Sequence, residues 1–233
     1  AWIERANRVA LRRSEVKTAH ETFERARTLL DALPDTRPNR TRRLALLLDQ
    51  PVMFMGLMKL TEYRDLVRRH ETMARALEEP GLLGQLYSRL GWSEWALGDV
   101  RVAIDALGTA VELCVRAHLP HDAGIAQLAG GWAHILAGDL TRALELETQA
   151  LERLSVERDP HAHAAAHAGR AWALAEMGRY REAEQAGRRA LRLAEDLGGG
   201  GLVSFAAWGL SRTYGLDGEI EQALEMGRLS ATH

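Results

Sequence analysis

Leu97-Gly98-Asp99-Val100, Ala137-Gly138-Asp139-Leu140, Met177-Gly178-Arg179-Tyr180 and Asp217-Gly218-Glu219-Ile220 are four versions of one tetrad, set 40 residues apart. Each tetrad ends three residues before an alanine: Ala103, Ala143, Ala183 or Ala223. Glycine closes a helix in a left-handed conformation at little steric cost, and a polar neighbour such as Asp99 or Asp139 starts the next. Seven residues before each glycine stand Gly91, Gly131, Ala171 and Ser211, all small, as a close helix–helix crossing requires. The alanine after the tetrad is the matching small residue on the second helix. The unit is therefore helix, tight turn, helix, and it repeats.

The spacing resembles the tetratricopeptide pattern W-x2-L-G-x2-Y followed by A-x3-F. It stands here as Tyr87-x2-Leu90-Gly91-x2-Glu94 and Ala103-x3-Leu107, with the aromatic slots partly degraded. Upstream, Ala19-x3-Phe23-x2-Ala26 fits a second helix, and Leu60-Thr61-Glu62-Tyr63-Arg64-Asp65-Leu66 fits the turn loosely. The expectation is an all-α fold, a right-handed α-solenoid of about six tetratricopeptide-like units in a single array. The units fall near 1–32, 43–78, 84–118, 122–155, 161–197 and 202–229. Their first helices are expected near 1–12, 43–58, 84–97, 122–137, 161–177 and 202–216, and their second near 15–32, 62–78, 100–118, 140–155, 180–197 and 219–229. Pro120 and Pro160 suit helix starts, Pro34 and Pro38 mark a longer connection, and Pro51 kinks or delays the second unit's first helix. The repeat exceeds the usual length of about 34 residues, and the extra residues follow the Ala103-type position, which predicts longer second helices.

Composition agrees with this and excludes several classes. The 233 residues are 46% hydrophobic and rich in Ala, Leu, Glu and Arg, which lose little side-chain freedom in helices. The most apolar stretch, Leu44 to Leu60, is interrupted by Asp49, Gln50 and Pro51 and falls short of the roughly 20 apolar residues of a membrane span. No signal-peptide pattern opens the chain, Cys114 is the sole cysteine, and a cytoplasmic location is expected. Since Ala1 stands inside an apparently helical, Arg-rich pattern, the sequence reads as a piece of a larger protein. Residues 1–75 hold 16 Lys and Arg against 10 acids, and the remainder 14 against 22. That basic end reads as solvated surface, and nucleic acid is not an expected partner.

A stripe of large apolar residues is the candidate for ligand contact. The residue after each crossing position is Trp92, Trp132, Trp172 or Arg212, and these are expected to face a concave groove. Trp95, Ile135, Leu128 and Trp208 widen the stripe, and Met55 and Met58 extend it toward the N-terminus. Such a groove grips a helix, an extended peptide or a small molecule, with Trp and adaptable Met as anchors. The alternative is that the rings only pack between helices. Arg212, and Arg8 in the first unit, occupy the Trp slot and read as groove-end or solvated cations.

Other signals carry less chemistry. His163 and His167 share a helical face beside His161, but no cysteine or carboxylate stands at ligand spacing, so no metal site is expected. His134 reads as a packing residue. Gly198-Gly199-Gly200-Gly201 lacks the strand before it and the Lys-Ser/Thr after it that a phosphate cradle needs, and reads as a flexible inter-repeat loop. Glu94 is the one acid placed at a strongly buried helical position, with no second carboxylate for acid–base work. No catalytic residue and no cofactor is expected.

Two local patterns go beyond generic repeats: Phe23-Glu24-Arg25-Ala26-Arg27-Thr28-Leu29-Leu30-Asp31-Ala32-Leu33-Pro34-Asp35 and Gly91-Trp92-Ser93-Glu94-Trp95-Ala96-Leu97-Gly98. They resemble the C-terminal repeat region of bacterial multidomain regulators, namely class III adenylate or guanylate cyclases and transcription activators with an AAA-type ATPase module. That resemblance implies a regulatory role, with Trp92 and Trp95 at the family's aromatic positions; Ile135 and Ala175 replace the second aromatic in later units. It implies as partner a protein, a peptide or a neighbouring ATPase or cyclase domain. A small-molecule sensor and a homo-oligomerisation scaffold are the alternative functions.

Overall fold

The computed structural model describes residues 2–13, 15–198 and 200–232, and every regular element among them is helical. Its contacts divide the chain into two compact units, Ala1–His118 and Leu119–His233, each holding three of the expected repeats. The first unit contains α1 (Trp2–Arg12), α2 (Val16–Asp31), α3 (Arg37–Leu48), α4 (Pro51–Gly56), α5 (Leu60–Arg69), α6 (Glu71–Ala76), α7 (Pro80–Leu97) and α8 (Val100–Arg116). The second contains α9 (Pro120–Leu136), α10 (Leu140–Arg153), α11 (Pro160–Glu176), α12 (Tyr180–Leu197), α13 (Gly200–Asp217) and α14 (Ile220–Thr232). No described helix is long and apolar enough to cross a membrane.

The tetrad glycines do what their position demands. Gly98, Gly138, Gly178 and Gly218 have φ of 90°, 79°, 74° and 87°. At the first of them, the Gly98 N–H donates to Trp95 O at 3.0 Å and the Asp99 N–H to Glu94 O at 2.8 Å. That paired closure satisfies carbonyls the helix end would otherwise leave open. Asp139 N–H to His134 O and Arg179 N–H to Leu174 O repeat it at 3.0 and 2.9 Å.

Left-handed residues also occur between these glycines, at His118 (φ 55°) and Gly198 (65°), and earlier in the chain at Met58 (57°) and Glu78 (55°). The interval is thus 20 residues, because both the turn inside a repeat and the turn between repeats close the same way. Only at Arg158 is the series broken: Leu154 leaves α10 in extended conformation, and Asp159 then caps α11 by accepting from the Ala162 N–H at 2.9 Å. Proline opens α7, α9 and α11 at Pro80, Pro120 and Pro160, where its missing N–H costs nothing. Hence α7 starts four residues earlier than the expected 84.

The second repeat departs most from expectation. Its turn is not at Leu60–Leu66 but at Met58, where the Lys59 N–H reaches Phe54 O at 2.8 Å. The expected helix 43–58 is two helices, α3 and α4, separated at Asp49–Gln50 before Pro51, and Pro38 sits in the first turn of α3 rather than in a connection. The buried Gln50 side chain bridges the break, donating to Asn7 Oδ1 at 2.9 Å and Leu46 O at 2.7 Å. Tyr63 fills the slot held elsewhere by alanine and packs at 5.1 Å against Phe54, which meets Phe23 edge-on at 5.6 Å. The expected second helix 62–78 is likewise divided, at His70, whose Nδ1 lies 2.8 Å from Leu66 O while its N–H turns to Val67 O.

If these turns set the repeat, substituting them moves stability predictably. Gly138→Ala should lower the unfolding free energy by about 1 kcal/mol, and Met58→Gly should raise it by roughly 0.5–1 kcal/mol. Urea denaturation of both variants checks the pair; a stabilising Gly138→Ala would contradict the assignment.

Candidate functional site

The second unit is organised around a thin helix. Along α11, Ala162, Ala164, Ala166, Ala168, Ala171, Ala173 and Ala175 are all buried, and the helix packs against α9, α10, α12 and α13. Short side chains let large neighbours approach across it. Trp132 of α9 meets Phe205 of α13 edge-on at 5.2 Å, and Phe205 stacks on Trp208 at 5.9 Å. Trp208 in turn meets Trp172 of α11 edge-on at 5.1 Å. The tryptophans of α9 and α11 are thus connected through α13, in a cluster of four rings with mutually favourable orientations.

At one edge of the cluster the Trp172 Nε1–H donates to Glu176 Oε1 at 3.2 Å, and Arg212 Nε donates to the same oxygen. The hydrogen bond from Arg212 holds the Glu176 carboxyl below its usual range. Arg212 is therefore an ion-paired rim residue and not an isolated cation.

A second feature lies beside Trp132. Glu147 of α10 is fully buried, and neither carboxylate oxygen has a hydrogen-bond partner. It passes between two glycines: a Cβ on Gly131 of α9 would come within 2.4 Å of Glu147 Oε1, and one on Gly169 of α11 within 2.3 Å of that oxygen and 2.5 Å of Trp132 Nε1. Burial alone raises the Glu147 pKa well above its ordinary value. Glu147 was not foreseen, since Glu94 was expected to be the only acid so placed. The signal was nonetheless present, because Glu147 stands in the A-x3-F slot after Ala143, opposite the small residue Gly131. Leu107 fills the same slot of α8 against Gly91, where an added Cβ would meet Leu107 Cγ at 2.4 Å.

The remaining expected residues divide by environment. Leu128 and Ile135 are buried, at 6% and 7% exposure, so they belong to the core beneath the stripe rather than to its surface. Trp132 and Trp172 are half-buried, whereas Trp208 is 39% exposed. In the first unit, Trp92 and Trp95 are half-buried on α7, beside Glu94, which is fully buried and takes a hydrogen bond from Arg68. Met55 is exposed on α4; Met58 is exposed too, but as the turn residue, so it does not continue a helical face. Arg8 pairs with Asp49 at 3.1 Å on the surface. Phe205, three residues before Trp208 on the same face, completes the cluster and was not among the expected residues.

The histidines settle as follows. His163 and His167 share a face of α11, with ring centroids 5.0 Å apart, and His161 is exposed. Burial first, then His163, Arg189 and Arg170, lowers the His167 pKa to about 4. No group of three potential metal ligands is gathered among the described residues. His134 is partly buried, its pKa lowered by burial and partly restored by Asp139. Gly199 of the expected glycine loop lies outside the described residues, and Gly200 already begins α13.

Comparison with solved structures fixes the fold. The crystal structure of BtubC (BKLC) from P. vanneervenii matches over 96% of this chain and 92% of its own, with a TM-score of 0.69 at 17% identity. The quorum sensor NprR, solved in complex with its cognate peptide NprX, matches over 97% of this chain and 64% of its own, with a TM-score of 0.69 at 14% identity. The fold is that of tetratricopeptide-like helical repeats. A Signal Transduction ATPase with Numerous Domains from Pyrococcus horikoshii, described as having a tetratricopeptide repeat sensor, matches over 97% of this chain but 34% of its own, with a TM-score of 0.68 at 12% identity. This chain therefore spans about a third of that protein's length. No family model matches the sequence, and no curated protein matches it.

The buried acid makes a pH-dependent prediction. Between the ordinary carboxyl pKa of 4.5 and the raised folded-state value, the unfolded chain has already released the Glu147 proton while the folded chain keeps it. Stability contributed at this position must then fall as pH rises through that window. Glu147→Leu, which copies Leu107, should be more stable by about 1–3 kcal/mol at neutral pH, and the gain should shrink toward pH 4. Thermal melts of both proteins across that range check it.

Proposed function

We propose that this chain is a non-catalytic regulatory repeat domain that binds a peptide or protein segment on the face carrying Trp132, Phe205, Trp208 and Trp172. The observation that supports this most directly is the ring cluster itself, packed from below by an alanine helix and open to solvent at Trp208. Rigid aromatic rings give a partner large contact area at low entropic cost. Glu176 and Arg212 at its edge supply paired charges that fix polar groups of an extended chain. NprR, with the same fold, is described with a bound peptide.

In this reading the partner is a protein or peptide, including a neighbouring ATPase or cyclase domain of the same polypeptide. A ligand that prefers one of two states shifts the population of an attached signalling module. The Pyrococcus protein, described as an ATPase with a repeat sensor, is an arrangement of that type. The buried acids favour no catalytic alternative: Glu94 pairs with Arg68, and Glu147 has no hydrogen-bond partner.

Selection of a random peptide library against the chain, followed by titration of the winners, tests the proposal. Trp208→Ala should weaken binding by at least about tenfold, as loss of a central aromatic anchor does, while the chain stays folded, because Trp208 is already 39% exposed. Undiminished affinity of every selected peptide for Trp208→Ala would defeat it.

A further inference from the structure

We propose that Glu147 is the anion of a subsite for a cationic side chain, an arginine or lysine of the bound peptide, and that Trp132 closes this subsite when it is empty. The inference rests on the peptide-binding reading above and assigns part of that site's specificity.

Geometry carries the argument. Glu147 starts on a second helix, α10, yet its carboxylate reaches the backbones of the two flanking first helices, because Gly131 and Gly169 leave the space their Cβ atoms would fill. Fully buried, it lies there beside Trp132, a member of the ring cluster. Both carboxylate oxygens lack a partner, although an ionised carboxylate accepts several hydrogen bonds and a buried polar group is ordinarily satisfied. A structural role is not needed to fill the slot, since Leu107 fills its counterpart against Gly91 and Leu210 occupies the space beside Gly187. What an unsatisfied acid beside Trp132 adds is recognition of a cation. Guanidinium pairs with two carboxylate oxygens at once, and ring faces attract the same charge. Among the described residues no resident cation hydrogen-bonds either Glu147 oxygen.

Two capped pentapeptides, Ala-Leu-Arg-Leu-Ala and its twin with citrulline for arginine, separate the charge from the shape of the side chain. Calorimetric titration of the whole chain should show the arginine peptide binding at least about tenfold tighter, a difference abolished in Glu147→Gln. Between the ordinary carboxyl pKa of 4.5 and the raised value of the buried group, pairing ionises a carboxyl that is protonated when free, so the arginine peptide should release a proton, seen as a binding heat that changes with the buffer. Glu147→Gln should show no such release. Glu147→Leu, whose side chain has the precedent of Leu107, should behave like Glu147→Gln and guards against a folding defect in the amide variant. Equal affinity for the two peptides, or a preference for arginine that persists in both variants, overturns the cation subsite while leaving the aromatic site standing. Binding of neither pentapeptide, together with failure of every library peptide, would overturn both.

Discussion

The architecture depends on the chain turning left-handed at a fixed interval. Helices of 17 or 18 residues such as α7, α8, α9 and α11 are followed by two- or three-residue connections, so each must be closed within its last turn or lose carbonyl partners. Positive φ accomplishes this, and it does so at Met58, Glu78 and His118 as well as at five glycines. Residues other than glycine bear a steric cost there, which the packing of the flanking helices must exceed. The equal spacing follows, since helices of equal length place successive crossings in register. Where the series lapses at Arg158, a six-residue irregular connection and an aspartate cap take over.

That register creates a slot at each crossing, and its filling varies by exchange of volume between helices. Leu107 rests on Gly91, Glu147 on Gly131 and Gly169, and in the next repeat the order reverses, with Gly187 receiving Leu210. The slot is constant in position but not in chemistry. Tyr63, one helical turn before the equivalent place in the second repeat, solves a related problem with bulk, its hydroxyl donating to Leu47 O at 3.3 Å near the break between α3 and α4. An acid at such a point contributes less stability than a hydrocarbon, so its presence is better understood through what it faces than through what it holds together.

Most of the fold was legible because the sequence repeats its constraints. Four glycines, four small crossing residues and four alanines at one period leave little freedom, and the last three repeats follow the expected helices within a few residues. The second repeat was not legible in the same way. Met58 carries no glycine signal, Pro38 does not interrupt the first turn of α3, and the His70 ring alters the helix through a hydrogen bond that no propensity encodes. Of the proposed site, periodicity offered Trp132, Trp172 and Trp208 as candidates but could not show that their rings meet through α13, since Phe205 touches a residue 73 positions away. It also put Leu128 and Ile135 on a surface when they lie beneath one, a matter of small rotations about the helix axis. Glu147 was overlooked because charge suggested exposure, while its slot required burial.

The stripe of tryptophans need not be either a packing device or a contact surface. Trp132 spans α11 and is fixed by what surrounds it, Trp172 is half-buried and tied to Glu176, and Trp208 stands more than a third exposed with one face against Phe205. The cost of organising such rings is met on folding, so a partner that stacks against the last of them gains contact without immobilising it. Rings that pack well are therefore the support for the ring that packs least. By the same logic an unsatisfied carboxyl beside Trp132 is a cost that the packing of the surrounding helices has to exceed.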